Sequence, residues 1–596
     1  MRPTTDMTSG WRRAARYGAV AAAGLLALAT ASACTSNNNS SSNTSAKSSA
    51  SSSTGGAVTS FPRNETLYTS GTAYAPPSNW NPLDEGNFAT GTQGLIYEPL
   101  FLYDPIKNTY DPWLATGTIL GGWNSSQTVY TIHVRTGVKW TDGQPLTGAD
   151  VAYSINLART NATDPYSANV ATVANAVASG NTVTVTFKGT PGYTEWTDYL
   201  WKAPVLPEHI WSKFPASQIA TDANTHPVGT GPMTLDTYNA QEVAYQTQPN
   251  WWATSDLGLN FKFKYLVDVV NGTNDQELGA LTQGNIDWSN NFLPGINQLM
   301  NAVGGNSGYT LKTYYPKSPY MLSANTVWLE PNDSVAPMSN VNFRKALAYA
   351  VNPQAIAQTV YGGITKAANP TGLLPTLSGF VNQSVVSKYA PAYNPGLAKQ
   401  YLAKSGYHGQ PITLQVPDGW SDWMDATTVI KQELDAIGIN LQLVYPQPNT
   451  RTQNVTNGNF DLQLDNNAGL DATPWSYYQR VYELPINKQQ TSQLNWERFS
   501  SPTDWKLVQE AGTVPLTDTA KLDSLYSQLE TDFFQQEPVI PLWYNGAWFQ
   551  GNTEYWQDYP SNAGSDQNMP VMWAGYIGAM TTVYALASLQ PASAKS

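Results

Sequence analysis

Two short stretches of the chain hold residues able to do chemistry. The first is Pro417-Asp418-Gly419-Trp420-Ser421-Asp422-Trp423. The second runs from Phe460 to Trp475 and contains Asp465, Asn466, Asn467, Asp471 and Trp475. Side-chain amides such as Asn466 and Asn467 carry donors and acceptors suited to hydroxyl groups. The indoles of Trp420, Trp423 and Trp475 offer broad apolar faces on which a sugar ring could stack. The same indoles could equally pack a core, and the two Asn could simply shape a turn. Paired carboxylates, Asp418 with Asp422 or Asp465 with Asp471, are what glycoside hydrolysis requires, with one acid of raised pKa. Ser–His–Asp chemistry has little support. The histidines are His133, His209, His226 and His408, and no Gly-x-Ser-x-Gly elbow surrounds a Ser.

The elements that must position these groups are legible. Ile412, Leu414 and Val416 alternate as a strand. Val429, Ile430, Leu434 and Ile437 mark one face of a helix that Gly438 caps, and Ile439, Leu441 and Leu443 make the next strand. Strand, helix and strand in that order predict a parallel pair with a right-handed crossover. Ligands of such lobes bind beyond the carboxyl ends of the strands, which is where the Pro417–Trp423 loop emerges. Phe343, Ala346, Leu347 and Ala350 lie at helical spacing, with Pro353 beyond as a stop. Earlier in the chain, Tyr130, Ile132 and Val134 alternate with Thr131 and His133 as a half-buried strand. Asp142-Gly143 supplies a turn, and Thr147 reads as a helix N-cap with Asp150 in the first turn. Val183, Val185 and Phe187 predict a strand that pairs with Val129–Val134. Residues from Phe61 to Tyr103, rich in Gly, Pro and aromatics, read as short strands and loops. Val571 to Leu589 is uncharged and apolar, and reads as buried C-terminal core rather than a membrane helix.

Composition narrows the class. The chain has 596 residues, only 12 % of them charged, 21 Trp and a formal net charge of -12. No Lys/Arg cluster marks the body, which argues against a nucleic-acid partner. One Cys and four His leave too few soft ligands for a typical zinc, haem or iron–sulfur site, so no cofactor is expected. Arg12, Arg13 and Arg16 precede an apolar run from Gly18 to Ala33, the pattern of a secretion leader. The run ends Ala31-Ser32-Ala33-Cys34, which fits a lipoprotein signal with Cys34 acylated. Arg12-Arg13 leaves both the general and the twin-arginine export routes open. From Thr35 to about Gly56 the chain is Ser, Asn, Thr and Ala, which cannot bury enough surface to offset its chain entropy and reads as a flexible tether.

The string VYTIHVRTGVKWTDGQPLTGADVAYS, Val129 to Ser154, closely resembles the marker segment of family 5 of the bacterial extracytoplasmic solute-binding proteins. Gly94–Leu100, Pro227–Pro232, Asn342–Ala350, Tyr393–Tyr407 and Val539–Leu542 resemble further blocks of that family, in the family's order. The resemblance implies an α/β, two-lobed fold of the type II periplasmic-binding-protein kind, with an extra subdomain in the N-terminal half. Residues 1–33 would be the leader, and 34–56 the acylated Cys and tether. Lobe I would take 57–310, with a strand-rich subdomain near 105–225. Lobe II would take 311–545, and 546–596 would return to pack on lobe I.

The resemblance also implies a role. The protein would stand lipid-anchored on the outer face of the cytoplasmic membrane, capture a small solute between its lobes and deliver it to the permease of an ABC importer, without catalysis. Oligopeptides are the family's default solute. Many members grip a peptide's ammonium with an Asp in a Gly-Trp-x-x-Asp-Tyr pattern, of which the Trp and Tyr are missing here and only Leu470 or Asp471 falls near the Asp. A group within the family binds β-linked oligosaccharides, and the Asn466-Asn467 and Pro474-Trp475 pattern looks closer to it. The expected ligand-binding set is therefore Trp420, Trp423, Asn466, Asn467, Asp471 and Trp475, for a peptide or a neutral oligosaccharide. A secreted glycoside hydrolase is the remote alternative.

Overall fold

A computed structural model describes residues 61–592 apart from 74, 85–86, 303–309, 467–468, 491–493, 564–566 and 574–577. The leader, Cys34, the tether and Asn467 lie outside the described residues.

Two mixed sheets organise the body. The larger has seven strands in the order Leu311–Lys312, Gln550–Asn552, Trp288–Ser289, Thr66–Ser70, Tyr265–Val269, Glu242–Thr247 and Met233–Tyr238. Thr66–Ser70 runs parallel to both its neighbours. The smaller has five strands in the order Leu441–Val444, Ile412–Gln415, Leu462–Asn466, Ser323–Pro331 and Ile540–Gly546. Its first three are mutually parallel, as the strand–helix–strand pattern requires, and Ser323–Pro331 runs antiparallel to both its neighbours. The crossover helix, Ser421–Ile437, ends at Gly438, whose φ of 102° is the left-handed conformation that a side chain resists.

The chain passes from the first sheet to the second between Lys312 and Ser323, and back between Gly546 and Gln550. Ser323 pairs with Gly546, so the two crossings run side by side. Helix Val341–Ala350 follows its predicted spacing from an Asn340 cap. Pro353 does more than stop it: it opens the next helix, Pro353–Thr359, at a position where its missing N–H is no loss.

A separate four-stranded sheet stands in the N-terminal half, in the order Ala115–Thr116, Val129–Val134, Thr182–Phe187 and Val173–Ser179. Tyr130, Ile132 and Val134 face inward and are nearly inaccessible, while His133 is exposed. Tyr130 pairs with Val185 and Ile132 with Val183, the expected antiparallel partners. Thr147 caps helix Gly148–Thr160. Its hydroxyl accepts from the Ala149 N–H at 3.2 Å, and the Asp150 carboxylate accepts from the Thr147 N–H at 2.9 Å. Gly229 and Gly231 serve packing: a Cβ at either would collide with the backbone carbonyls of Ile96 and Leu95.

Tryptophans dominate the interior. Glu98 is buried and its carboxylate accepts from the indoles of Trp113, Trp251 and Trp252 at 3.0, 3.2 and 3.0 Å. Burial pushes its pKa up to about 7 despite those bonds. Val571, Met572, Leu586 and Leu589 are fully buried, the last two at helix Thr582–Ser588. Among the described residues no helix is long and apolar enough to cross a membrane.

Candidate functional site

A cavity of about 550 Å³ opens between residues of the two large sheets. From the first sheet's side it is walled by the segment after strand Thr66–Ser70, including Thr72 and Ser78, and by Phe88, Thr90 and Gln93. From the second sheet's side come Pro448, Asn449 and Thr452, at the start of the helix after strand Leu441–Val444, and Leu470 and Asp471, after strand Leu462–Asn466. Each of these walls leaves the carboxyl end of a strand with a parallel neighbour, the location the topology favours for ligands. Tyr166, Trp201 and Lys202 also line it, with Ala579 and Met580 from the C-terminal segment.

The lining mixes small apolar residues, Ala, Pro, Leu and Met, with aromatic, amide and hydroxyl side chains, and carries one charged cluster. Helix Tyr193–Lys202 brings Asp198 and Lys202 one turn apart. The Lys202 Nζ lies 2.9 Å from Asp198 and 2.9 Å from Asp471, and 3.4 Å from the Ser476 hydroxyl. Ser476 in turn donates to Asp198 at 3.1 Å, and the Trp201 indole donates to the other Asp198 oxygen at 3.2 Å. Lys202 and Asp198 come from the N-terminal half, Asp471 and Ser476 from the other side of the cavity. Burial alone would lower the Lys202 pKa, but Asp198 and Asp471 together hold it above the usual lysine value. Burial raises the Asp471 carboxyl to about 6, against the opposing pull of Lys202. We read the pair as charged at neutral pH, because the two acids jointly outweigh the burial of one ammonium.

Of the described residues in the expected ligand-binding set, Asp471 alone lines this cavity, beside Leu470. Asn466 ends its strand opposite Val327, half-buried. Trp420 stands at the N-terminus of helix Ser421–Ile437, half-buried and edge-on to Trp423 at 4.8 Å. Trp423 is buried and meets Trp543 at a right angle, with ring centroids 6.5 Å apart. Trp475 is buried too, its indole donating to the Val508 carbonyl at 3.1 Å. The faces of Trp423 and Trp475 are therefore taken up by core packing, and ring stacking on a solute does not fit that placement. The Pro417–Trp423 loop instead reaches the first lobe directly: the Asn274 amide donates to the Ser421 hydroxyl at 3.1 Å and approaches Asp422 at 3.4 Å. Tyr361 also donates to Asp422, whose carboxyl burial pushes up to about 6.

Sequence reasoning did not single out Lys202, Asp198, Trp201, Tyr166 or Asn449. One signal was available. Glu195, Asp198 and Lys202 recur on one stripe of an aromatic-rich helix in a chain with few charges. Among the described residues no group of three or more His, Cys, Asp or Glu could hold a metal ion.

Comparison with known proteins defines the class. The model of the bacterial extracellular solute-binding proteins, family 5 (middle segment), matches residues 109–488, and the chain belongs to that family. The fold is α/β and two-lobed, of the type II periplasmic-binding-protein kind. A solved structure of a periplasmic oligopeptide-binding protein of an ABC transporter from Thermotoga maritima, with mannohexaose bound, is 33 % identical at a TM-score of 0.84. The match covers 90 % of this chain and all of that one. The oligopeptide-binding protein AppA of Bacillus subtilis, in complex with a nonapeptide, shares the fold at 18 % identity and a TM-score of 0.71, over 89 % of this chain and 99 % of that one. The oligopeptide-binding protein OppA of Bacillus subtilis is 24 % identical over 71 % of this chain and 78 % of its own length. A putative ABC transporter peptide-binding protein of Brucella ovis is 26 % identical over 61 % of this chain, and the match spans 65 % of that protein.

Proposed function

We propose that the protein is the solute-binding lipoprotein of an ABC importer, and that its solute is a neutral oligosaccharide. Cys34 carries the lipid, residues 35–56 are the leash, and the body holds the solute in the cavity beside Asp471 and passes it unaltered to a permease. The observation that carries the ligand reading is the Lys202–Asp471 pair at 2.9 Å: the carboxylate on the cavity wall already has a cation. What remains around it includes groups suited to hydroxyls and one half-buried ring, with Tyr166 as the ring and Asn449, Gln93 and Thr90 as polar partners. The mannohexaose bound by the Thermotoga maritima protein supports the same reading. Asn466 and Trp420 lie off the cavity and would contact only a solute that extends beyond it.

Oligopeptides are the second reading, favoured by the names of the Brucella ovis and Bacillus subtilis relatives. Isothermal titration calorimetry separates the two. Saturable one-to-one binding of mannohexaose or cellohexaose, with the sugar recovered intact, supports the saccharide reading. Binding of tri-alanine and of neither hexaose overturns it, and recovery of shortened sugar would make the protein a hydrolase.

A further inference from the structure

The charged cluster on the cavity wall has a definite composition: two carboxylates, Asp198 and Asp471, and one ammonium, Lys202. The two acids are hard to leave uncompensated, since their side chains are only 10 % and 8 % exposed. A buried carboxylate needs a cation or several donors close by. Here the cation is supplied by the chain itself. Lys202 reaches Asp471 across the cavity from helix Tyr193–Lys202, its Nζ 4.7 Å above the centroid of its own neighbour's ring, Trp201. Any solute amine approaching Asp471 would meet that ammonium first. Like charges brought together in a partly desolvated site repel strongly.

We propose that Lys202 is a specificity-determining residue: a built-in ammonium that occupies Asp471 and thereby excludes solutes carrying an amine, leaving the cavity to neutral ones. The assignment rests on the saccharide reading above and names the residue that enforces it. Exclusion of an unwanted solute by placed charge is as effective as attraction of the right one.

The experiment compares mannohexaose, tri-alanine and N-acetyl-tri-alanine on the full-length protein and its variants by calorimetry at pH 7. The wild type is expected to bind mannohexaose and to bind neither peptide measurably. Lys202→Met exposes two uncompensated acids, and is expected to gain at least tenfold in affinity for tri-alanine with no gain for the acetylated peptide. Lys202→Arg keeps the charge and is expected to keep the exclusion. Adding Asp471→Asn to Lys202→Met should abolish the gain. If Lys202→Met does not fold, the double variant Lys202→Gln/Asp198→Asn keeps the cluster's net charge and takes its place, with the same gain expected. A folded variant without Lys202 that still rejects the free amine overturns the proposal, as does a wild type that binds tri-alanine more tightly than its acetylated form. If the wild type binds no hexaose, the saccharide reading falls, while the Lys202 assignment is still decided by the free-amine gain.

Discussion

Arg480 shows how much one residue can hold in this protein. It is buried and pairs at 3.1 Å with each of Glu330, Asp465 and Glu497, while Arg451 takes the other Asp465 oxygen at 3.2 Å. The indoles of Trp328 and Trp496 lie 5.4 and 5.3 Å from its guanidinium. This network braces strand Leu462–Asn466, from which the chain runs on to Asp471. Arg480→Met would leave buried Glu330 and Glu497 without their ion-pair partner and Asp465 with Arg451 alone. It should cost about 3–5 kcal/mol in denaturant unfolding, and a loss below 1 kcal/mol would mean the acids are protonated in the native state. At the cavity, Tyr166 is half-buried, and its hydroxyl accepts from Gln93 at 3.0 Å. Tyr166→Ala should weaken hexaose binding about tenfold, or about 1.4 kcal/mol, measured at a temperature where circular dichroism shows the variant folded. Unchanged affinity would remove this ring from the site. The burial of Trp423 and Trp475 was legible in their spacing. Trp423 belongs to the stripe Ala426, Ile430 and Leu434, and Trp475 to the stripe Tyr478 and Val481. Their indole chemistry suggested a wall, but the helical period outweighed it. Lys202 and Asp471 could not be joined from the sequence, because the fold alone brings such distant positions together.

Elements were read more securely than sites, since their signals are local. The strand at Val129–Val134, the Thr147–Asp150 capping box and the strand–helix–strand unit ending at Leu441–Val444 all follow from period and end chemistry. The cap is the clearest to test. Thr147→Ala removes the acceptor for the Ala149 N–H and should destabilise the body by about 1 kcal/mol, read as a shift in the denaturant midpoint. Thr147→Ser should restore most of it. A Thr147→Ala protein as stable as wild type would show that helix Gly148–Thr160 is held by packing alone. What the local signals did not convey is which loop of the parallel sheet reaches the cavity. The loop after Ile412–Gln415 was the sequence candidate. In the fold it abuts Asn274, and the two neighbouring strands of the sheet supply the wall.

The whole molecule carries an unusual load of buried acids. Burial raises Glu98, Glu195, Glu277 and Glu483 to about 7 each. Their unfolded values lie near 4.3, so the native state binds more protons between those limits. The stabilisation is fully present below about pH 4.3 and is lost as pH rises through about 7. The melting temperature should therefore be higher at pH 5 than at pH 8, with the decline falling across pH 5 to 7. A melting temperature that climbs over that interval would contradict it.

At the same scale, the account's central claim is that two lobes enclose a neutral oligosaccharide beside a carboxylate already neutralised by Lys202. Native mass spectrometry tests it most directly. The protein would be incubated with an equimolar mixture of mannohexaose, cellohexaose and short free-amine peptides, and the bound mass read from the intact complex. The account predicts a one-to-one complex carrying the mass of an intact hexaose. A complex carrying a peptide mass in its place would contradict it.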